Sequence, residues 1–255
     1  MKHKILLATN ASEEFDNLLK DLSNLLNETH KKYISAFSPK NFQSKRLVAA
    51  NAGVSNGFAS LDHLVSDFDR DLALKKIAAD RSMDFEWIHE SLDDERLSSL
   101  STVSDLLILE QGAFLDGDVS IFEEILRAVK CPILLLPKDW EIENLVVFHD
   151  GSMDSVKMVK YFINLFNSAL RDLPLTVLIS DPKGDYDIER EKVFIDYLKL
   201  FFTNIGIQQI QGHLMDNLTQ SIVYNSSKPF LMLGVEDNGV SSQNILESPT
   251  FLFKG

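Results

Sequence analysis

The stretch Asn144–Ser152, which reads NLVVFHDGS, decides the fold, because a similar stretch, KILLATNAS, stands at Lys4–Ser12. In each, an apolar run leads into a small polar turn and then into a helical pattern. The two stretches start 140 residues apart (144 − 4), which is about the length of one domain. We therefore predict two copies of one fold in tandem.

The first copy alternates strand-like and helix-like segments. Residues 4–9 form a continuous apolar run, and Ser12 is placed to cap a helix whose apolar face extends to about Asn27. Further strands are predicted at residues 33–37, 85–89, 105–109 and 131–137, and further helices at 61–79, 93–101 and 119–129. This alternation predicts a parallel sheet with helices on both faces.

The second copy repeats this order in a shorter length. Its predicted strands are 145–149, 175–179, 207–211, 230–234 and 250–254, and its predicted helices are 153–168, 188–203 and 216–225. Only Val235–Pro249 separate its last two strands, which leaves room for a loop and at most a stub of helix. We predict domains at 1–138 and 143–255, the second shortened after its fourth strand, packed as an internal pseudo-dimer.

The composition limits the function classes. The chain has 255 residues, of which 45% are hydrophobic and 25% charged, as is typical of globular proteins. Its formal net charge of −13 argues against nucleic acid and anionic membrane surfaces as partners, since both require clustered Lys and Arg. No apolar run approaches the roughly eighteen residues of a membrane-spanning helix.

Cysteine usage and the amino terminus indicate the compartment. Cys131 is the single cysteine, so it cannot form an internal disulfide, and at the start of an apolar run it is expected to be a small buried hydrophobe. The apolar run after Lys4 is about five residues long, which is too short for a secretory signal. We expect a cytoplasmic protein.

The order of these segments resembles the universal stress protein family of the UspA type. Opening strands at Lys4–Thr9 and Leu145–Ser152 carry the resemblance, together with Asp105–Leu109 and the closing strand Lys130–Pro137. It covers nearly the whole chain, with little contribution from residues 40–80. The resemblance implies two Rossmann-like or flavodoxin-like domains of the adenine nucleotide alpha hydrolase-like kind, each with a five-stranded parallel sheet.

In nucleotide-binding members of that family, an acidic residue ends the first strand. A loop after the fourth strand reads glycine, two residues, glycine, nine residues, glycine, then Ser or Thr. In the first copy Asn10 stands where the acid belongs. For the loop this copy offers Gly112, Gly117 and, at a helix start, Ser120. The two glycines are separated by four residues instead of two, and Val119 takes the place of the final glycine.

The second copy keeps Asp150 as the acid that ends its first strand. Its loop offers Gly234, Gly239 and Ser241, but it lacks room for the helix on which phosphates would rest. Asp150–Ser152 also has a structural explanation, with glycine for the turn and serine for a helix cap.

Acidic side chains in both loops oppose a nucleotide. Leu115–Asp118 and Glu236–Asn238 contribute carboxylates and contain neither Lys nor Arg. A triphosphate would be repelled there unless Mg²⁺ intervened. We therefore expect degenerate nucleotide sites in both copies and no bound cofactor, with ATP and Mg²⁺ as the alternative.

The histidines supply no recognisable metal or catalytic set. His89 and His213 end the third strands of the two copies, where we expect loop hydrogen bonds rather than metal ligands. His149 and Asp150 are neighbours in an extended strand and point to opposite faces, so they cannot act together on one substrate. No catalytic residue and no metal ligand is predicted.

The leading hypothesis is a cytoplasmic stress-response regulatory or interaction protein without enzymatic turnover, as the resemblance implies, with protein partners or self-association. The second is a sensor that binds an adenine nucleotide in one copy, with the first copy favoured because it keeps its helix. The third is a hydrolase of nucleotides or related phosphates. It ranks last because no base, nucleophile or metal set is recognisable.

Overall fold

The computed structural model describes residues 2–10, 15–42, 71–114, 119–180, 188–210, 228–234 and 248–253. The chain divides into two compact units, the first being Met1–Asn24 with Glu28–Cys131 and the second Leu25–Asn27 with Pro132–Gly255. The predicted domain limits, 1–138 and 143–255, stay a prediction. The helix predicted at 216–225 lies outside the described residues.

The first unit contains a parallel sheet. Its described strands are β1 (Lys2–Ala8), β2 (Lys31–Phe37), β3 (Met83–Ile88) and β4 (Leu106–Glu110), and its described helices are α1 (Phe15–Leu25), α2 (described over 71–79), α3 (Asp94–Thr102) and α4 (Val119–Ala128). The strands pair in the order β3-β2-β1-β4. From β1 the chain runs to β2 on one side and later returns to β4 on the other, which creates a switch point at the carboxyl ends of β1 and β4.

Burial on both faces explains why the apolar runs form strands. The side chains of Ile5–Ala8 in β1 and Leu106–Leu109 in β4 are almost completely buried. Because successive side chains of a strand point to opposite faces, both faces of these strands must be covered. Such burial is typical of the central strands of a parallel sheet.

The second unit repeats the arrangement. Its strands are β5 (Ile133–Leu136), β6 (Asn144–His149), β7 (Leu175–Ser180), β8 (Ile205–Ile210), β9 (Pro229–Gly234) and β10 (Thr250–Phe253), and its described helices are α5 (Met153–Leu165) and α6 (Ile188–Leu198). Five strands run parallel in the order β8-β7-β6-β9-β10. A second switch point therefore lies at the carboxyl ends of β6 and β9.

β5 makes a pairing that the sequence pattern does not predict. The sequence predicts that the strand at 131–137 closes the parallel sheet of the first copy. In the structure, β5 pairs antiparallel with β10, with Leu134 opposite Phe251. Every β5 side chain is buried, so its backbone requires partners, and β10 offers the edge that β9 does not use. The predicted fold class, α/β with a mostly parallel sheet, is confirmed.

The described helices of the second unit are shorter than their periodicity predicts. α5 ends at Leu165 rather than near 168, and α6 ends at Leu198 rather than near 203. Asn167 instead caps a 3-10 helix at Ser168–Asp172, because its side chain accepts a hydrogen bond from Ala169 N at 3.0 Å. No helix within the described ranges is both long and apolar enough to cross a membrane.

Aromatic rings fill the core of the second unit at the carboxyl end of α5. The Phe166 ring lies 4.9 Å from that of Phe162, 5.3 Å from that of Phe230 and 5.1 Å from that of Phe251, measured between centroids. All four rings are buried, and edge-to-face pairs add packing energy beyond area burial. This cluster fixes α5 against β9 and β10, and so helps to place the amino end of the helix.

A buried basic cluster lies at the amino ends of β1 and β2. His3 is 8% exposed, and its ring meets that of His30 edge to face, with 4.4 Å between centroids. Lys32, which is also buried, is the register partner of His3. Asp105 Oδ2 lies 3.6 Å from His3 Nδ1, whereas His3 Nε2 has no hydrogen-bond partner among the described residues.

Burial lowers the pKa of His3 below its usual 6.5; Asp105 opposes this shift, and His30 and Lys32 add to it. Burial also lowers the pKa of Lys32. A lowered pKa means that the folded chain binds fewer protons than the unfolded chain. The contribution of His3 to stability is therefore lost as the pH falls through 6.5, the usual pKa of histidine, towards the lower pKa of His3 in the folded chain.

We predict that acidification from about pH 7.5 to about pH 5.5 destabilises the wild type more than a His3→Gln variant, because only the wild type has the buried His3 ring, which takes up a proton more readily in the unfolded chain. Urea unfolding followed by Trp87 fluorescence, in a Trp140→Phe background, measures the loss in the first unit. His89→Gln is the matched control, since the His89 side chain is half exposed. This variant should lose as much stability on acidification as the wild type. Equal losses in wild type and His3→Gln would contradict this account.

Candidate functional site

Ligands of open α/β sheets bind where the strand order reverses, at the carboxyl ends of the strands. In the first unit this place is the end of β1 beside the end of β4, and in the second unit it is the end of β6 beside the end of β9. Three of the predicted site residues, Asn10, Asp150 and Gly234, lie at these two switch points.

In the first unit, polar side chains at the switch point bond to one another. The Thr9 hydroxyl donates to Glu110 Oε2 at 2.5 Å. Asn10 Nδ2 donates to the carbonyl oxygen of Ala113 at 3.3 Å, and Asn10 Oδ1 accepts from the Ser38 hydroxyl at 3.5 Å. Both ends of the Asn10 amide are therefore engaged within the protein.

Glu110 decides the chemical character of this switch point, and sequence analysis did not single it out. It stands 124 positions before Gly234 (234 − 110). Glu110 ends β4, which pairs with β1, and Gly234 ends β9, which pairs with β6. The Glu110 carboxylate brings a negative charge where a phosphate would need a cation or an amide. The sequence signal for Glu110 was that it occupies, in the first copy, the position that Gly234 occupies in the second.

In the second unit, the turn after β6 caps the helix that follows. Ser152 Oγ accepts a hydrogen bond from Ser155 N at 3.2 Å, which confirms Ser152 as the N-cap of α5. Asp150 Oδ1 accepts from Ser152 N at 2.9 Å. Gly151 has a φ of +75°, a left-handed conformation that favours glycine. The amides of Ser152 and Ser155 are thus engaged by side chains of the turn itself.

Gly234 lies against the first turn of α5. A Cβ added there would stand 2.9 Å from the nitrogen of Ser155 and 3.2 Å from the carbonyl carbon of Asp154. Both are backbone atoms, so only glycine lets the end of β9 approach the helix this closely. The residue that the resemblance assigns to a phosphate loop therefore has a packing role.

His149 points away from Asp150 and into the interior. The His149 side chain is buried whereas Asp150 is exposed, so the prediction that the two face opposite sides is confirmed. His149 Nδ1 lies 2.7 Å from Ser155 Oγ, and His149 Nε2 lies 2.8 Å from Glu191 Oε2. Its ring stacks on that of Phe194, with 4.1 Å between centroids. One histidine therefore joins β6 to both described helices of the unit.

Glu191 is the partner of His149 that sequence analysis missed. It lies on α6 and is 7% exposed, although glutamate is rarely buried unless it is paired. Helical periodicity places Glu191 on the face of Ile195 and Leu198, four and seven positions on, and both are buried. An acid on the apolar face of an amphipathic helix was the available signal.

The other predicted site residues belong to the segments after β4 and β9. Gly112 lies half-buried in the 3-10 helix Gln111–Phe114. Ser120 begins α4 with Val119, but its side chain is not among those described. Gly117, Gly239 and Ser241 lie outside the described residues, so their roles stay predictions.

Of the other candidates for metal or redox chemistry, His89 and Cys131 lie within the described residues. His89 Nε2 lies 2.6 Å from Asp71 Oδ2, and His213 lies outside the described residues. Over the part of the chain that is described, no three His, Cys, Asp or Glu side chains gather as metal ligands. Cys131 is buried, and burial raises its pKa to about 12, so it remains a thiol at neutral pH.

Comparison with known proteins identifies the fold. No protein-family model matches the chain, and no curated protein matches it in sequence. Among solved structures it is similar to a universal stress protein from Archaeoglobus fulgidus DSM 4304, with a TM-score of 0.64 and 13% sequence identity over 98% of this chain and 96% of that one. The chain thus has the α/β fold of a universal stress protein, and the resemblance inferred from sequence is confirmed at the level of fold.

We predict that Gly234→Ala lowers the free energy of unfolding by about 1–3 kcal/mol, because the new methyl group would overlap the α5 backbone. Gly112→Ala is the matched control. A Cβ there would meet no atom closer than Glu110 Oε1 at 3.9 Å, so its effect should stay within about 0.5 kcal/mol. Urea unfolding curves measure both variants. A Gly234→Ala protein as stable as the Gly112→Ala protein would contradict the packing role.

Proposed function

We propose that this chain is a cytoplasmic, stress-type regulatory or interaction protein that works through protein partners or self-association and without enzymatic turnover. The observation that carries the proposal is the Thr9–Glu110 hydrogen bond, which holds a carboxylate at the switch point of the first unit. The fold shared with a universal stress protein supports a role of the stress type. Its nucleotide sites are degenerate under this proposal.

A phosphate at the first switch point would meet two costs. The Glu110 carboxylate would repel it, by about 4 kcal/mol for unit charges about 4 Å apart at an effective dielectric constant of about 20. A phosphate would also have to displace the hydrogen bonds that already engage Thr9 and Asn10. The net charge of −13 adds an unfavourable field for any anion.

The second unit offers a phosphate few amides in the turn after β6. A helix amino terminus binds anions through N–H groups that lack partners within the helix. Ser152 Oγ already accepts from Ser155 N, and Asp150 accepts from Ser152 N. The exposed Asp150 carboxylate lies at the same turn and would repel a phosphate. This capping supports a degenerate site in the second unit as well.

An adenine-nucleotide sensor is the alternative, and one observation favours it in the second unit. Gly234 takes the place of Glu110 there, so no carboxylate ends β9, and Asp150 is exposed. The sequence favoured the first copy for this role because that copy keeps its helix. Because the Glu110 carboxylate would repel a nucleotide in the first unit, the second unit is the better candidate for a nucleotide site.

The hydrolase hypothesis stays last. The arrangement nearest to a catalytic set is Ser155, His149 and Glu191, since a serine, a histidine and an acid lie at hydrogen-bond distance. Ser155 is 1% exposed and His149 is 2% exposed. A substrate therefore could not reach the serine oxygen in this conformation.

We predict that ATP with Mg²⁺ leaves the melting temperature of the full chain unchanged in differential scanning fluorimetry. A site with a dissociation constant of about 10 µM would stabilise the protein by about 2.7 kcal/mol at about 1 mM nucleotide, which is a readily measured shift. Heat-denatured protein should also release no nucleotide on an anion-exchange column. A higher melting temperature, or released nucleotide, would contradict the proposal.

Variants separate the alternatives, each compared with its own nucleotide-free melting temperature. A wild-type shift that Asp150→Asn abolishes and Glu110→Gln leaves intact would establish a sensor in the second unit. A shift in Glu110→Gln alone would show that the carboxylate excludes nucleotide from the first unit, as proposed. Phosphate release from ATP above a buffer control would establish the hydrolase.

A further inference from the structure

We propose that β8 is a surface for self-association, and that it pairs antiparallel with β8 of a second copy of this chain about a two-fold axis at Ile207. β8 lies at one end of the strand order of the second unit, and among the described residues no strand pairs with its other side. The inference rests on the function proposed above, which it deepens by naming the surface and the partner.

The register of β8 on β7 shows which backbone groups point out of the sheet. Leu175 is the parallel partner of Ile205, and its N–H donates to the carbonyl oxygen of Asn204 at 2.8 Å. Because these backbone groups alternate between the two sides of a strand, the even-numbered residues of β8 direct theirs at β7. The residues whose N–H and C=O groups point outward are Ile205, Ile207 and Gln209.

The side chains along β8 leave this edge accessible. The four consecutive residues 206–209 are exposed, and the apolar side chain of Ile207 is 54% exposed. Neighbouring residues of a strand point to opposite faces, so both faces of β8 are accessible here as well as its edge. An accessible edge strand is a template on which another strand can pair.

β8 lacks the features that commonly prevent edge strands from pairing, which are charged side chains, above all lysine, and proline. β8 reads IGIQQI and the adjacent β7 reads LTVLIS, so neither contains a charged residue or a proline. The chain as a whole has a formal net charge of −13, which opposes contact between two copies. The uncharged edge is a place where two copies can approach with little local repulsion.

An edge strand of the first unit, β3, is protected in the way that β8 is not. β3 ends the strand order there and carries Asp84 and Glu86. Antiparallel pairing of β3 with its own copy about Phe85 would set Asp84 opposite Glu86 of the second copy, and like charges directly opposite are destabilising. The contrast between these two edges of one chain favours β8 as the surface for self-association.

The sequence of β8 is complementary to itself in one register. In an antiparallel pair, opposite residues whose backbone groups point at each other exchange two hydrogen bonds. With the axis at Ile207, this residue exchanges them with its own copy, and Ile205 exchanges them with Gln209 of the second copy. All three outward residues of each strand are then bonded, and the two Ile207 side chains meet across the axis. An axis at Ile205 or Gln209 would pair fewer residues.

The contact is small, so the dimer should dissociate on dilution. Stable protein complexes bury about 1,200–2,000 Å² in total. One six-residue strand from each copy is a small contact by comparison. We therefore expect a dissociation constant on the order of 100 µM rather than a permanent dimer.

Sedimentation velocity of the full chain, without nucleotide, tests the dimer between about 5 µM and about 500 µM protein. The wild type should pass from monomer to dimer over this range. Ile207→Lys places two lysines against each other at the axis and should raise the dissociation constant at least about tenfold. Val103→Lys is the matched control, because Val103 is a 64% exposed residue of the first unit and the change in net charge is the same. This variant should dimerise like the wild type.

Cross-linking tests the register. Residue 207 faces itself across the axis with about 5.5 Å between Cα atoms, a separation that a disulfide can span. Ile207→Cys should therefore form a covalent dimer with oxidised glutathione, measured on a non-reducing gel. Gln208→Cys, which lies opposite Gly206 of the second copy, should cross-link at least about tenfold more slowly. The wild type, whose Cys131 is buried, should not cross-link.

A wild type that stays monomeric up to about 500 µM would overturn the pairing and leave the β8 edge to a strand of another protein. The function proposed above would then still have protein partners. A dimer that Ile207→Lys leaves intact, or equal cross-linking of the two cysteine variants, would place the contact on another surface and would also overturn the pairing. Nucleotide binding, in contrast, would contradict the proposed function and leave a measured β8 dimer in place.

Discussion

The close approach of β9 to the first turn of α5 constrains everything at the second switch point. Gly234 can lie where a Cβ would stand 2.9 Å from Ser155 N, and this contact fixes the level of the helix start relative to the sheet. Ser152 can then cap the helix and Ser155 Oγ can reach His149. The phenylalanine cluster holds the other end of the same helix, so the position of α5 is determined at both ends.

The two units share a strand order but satisfy their switch points differently. In the first unit side chains engage the polar groups at the switch point: Glu110 accepts a hydrogen bond from the Thr9 hydroxyl, and both ends of the Asn10 amide form hydrogen bonds. The second unit closes the space with backbone, since Gly234 brings β9 against the capped helix. In each case polar groups that could bind a ligand already bond within the protein, and this is the physical basis for the proposed function through partners rather than through bound nucleotide.

Local patterns in the sequence predicted the described strands and the Ser152 cap, because burial on two faces and N-cap chemistry leave a signature within a few residues, as at Leu145–Ser152. The cap predicted at Ser12 lies outside the described residues. These local patterns did not predict that β5 pairs with β10, or that Glu191 meets His149. Both contacts join residues far apart in the chain, and nothing in a local apolar period specifies such a partner. Glu110 was missed for a different reason: a family pattern directs attention to glycines, whereas the deciding feature was the side chain that replaced one.

Native mass spectrometry of the full chain, purified without added nucleotide and then mixed with ATP and Mg²⁺, tests most directly whether the protein's own groups occupy its switch points. The account predicts the mass of the ligand-free chain, or whole multiples of it if the chain self-associates, in both samples. A peak heavier by one nucleotide, present after purification or formed at micromolar ATP, would contradict it.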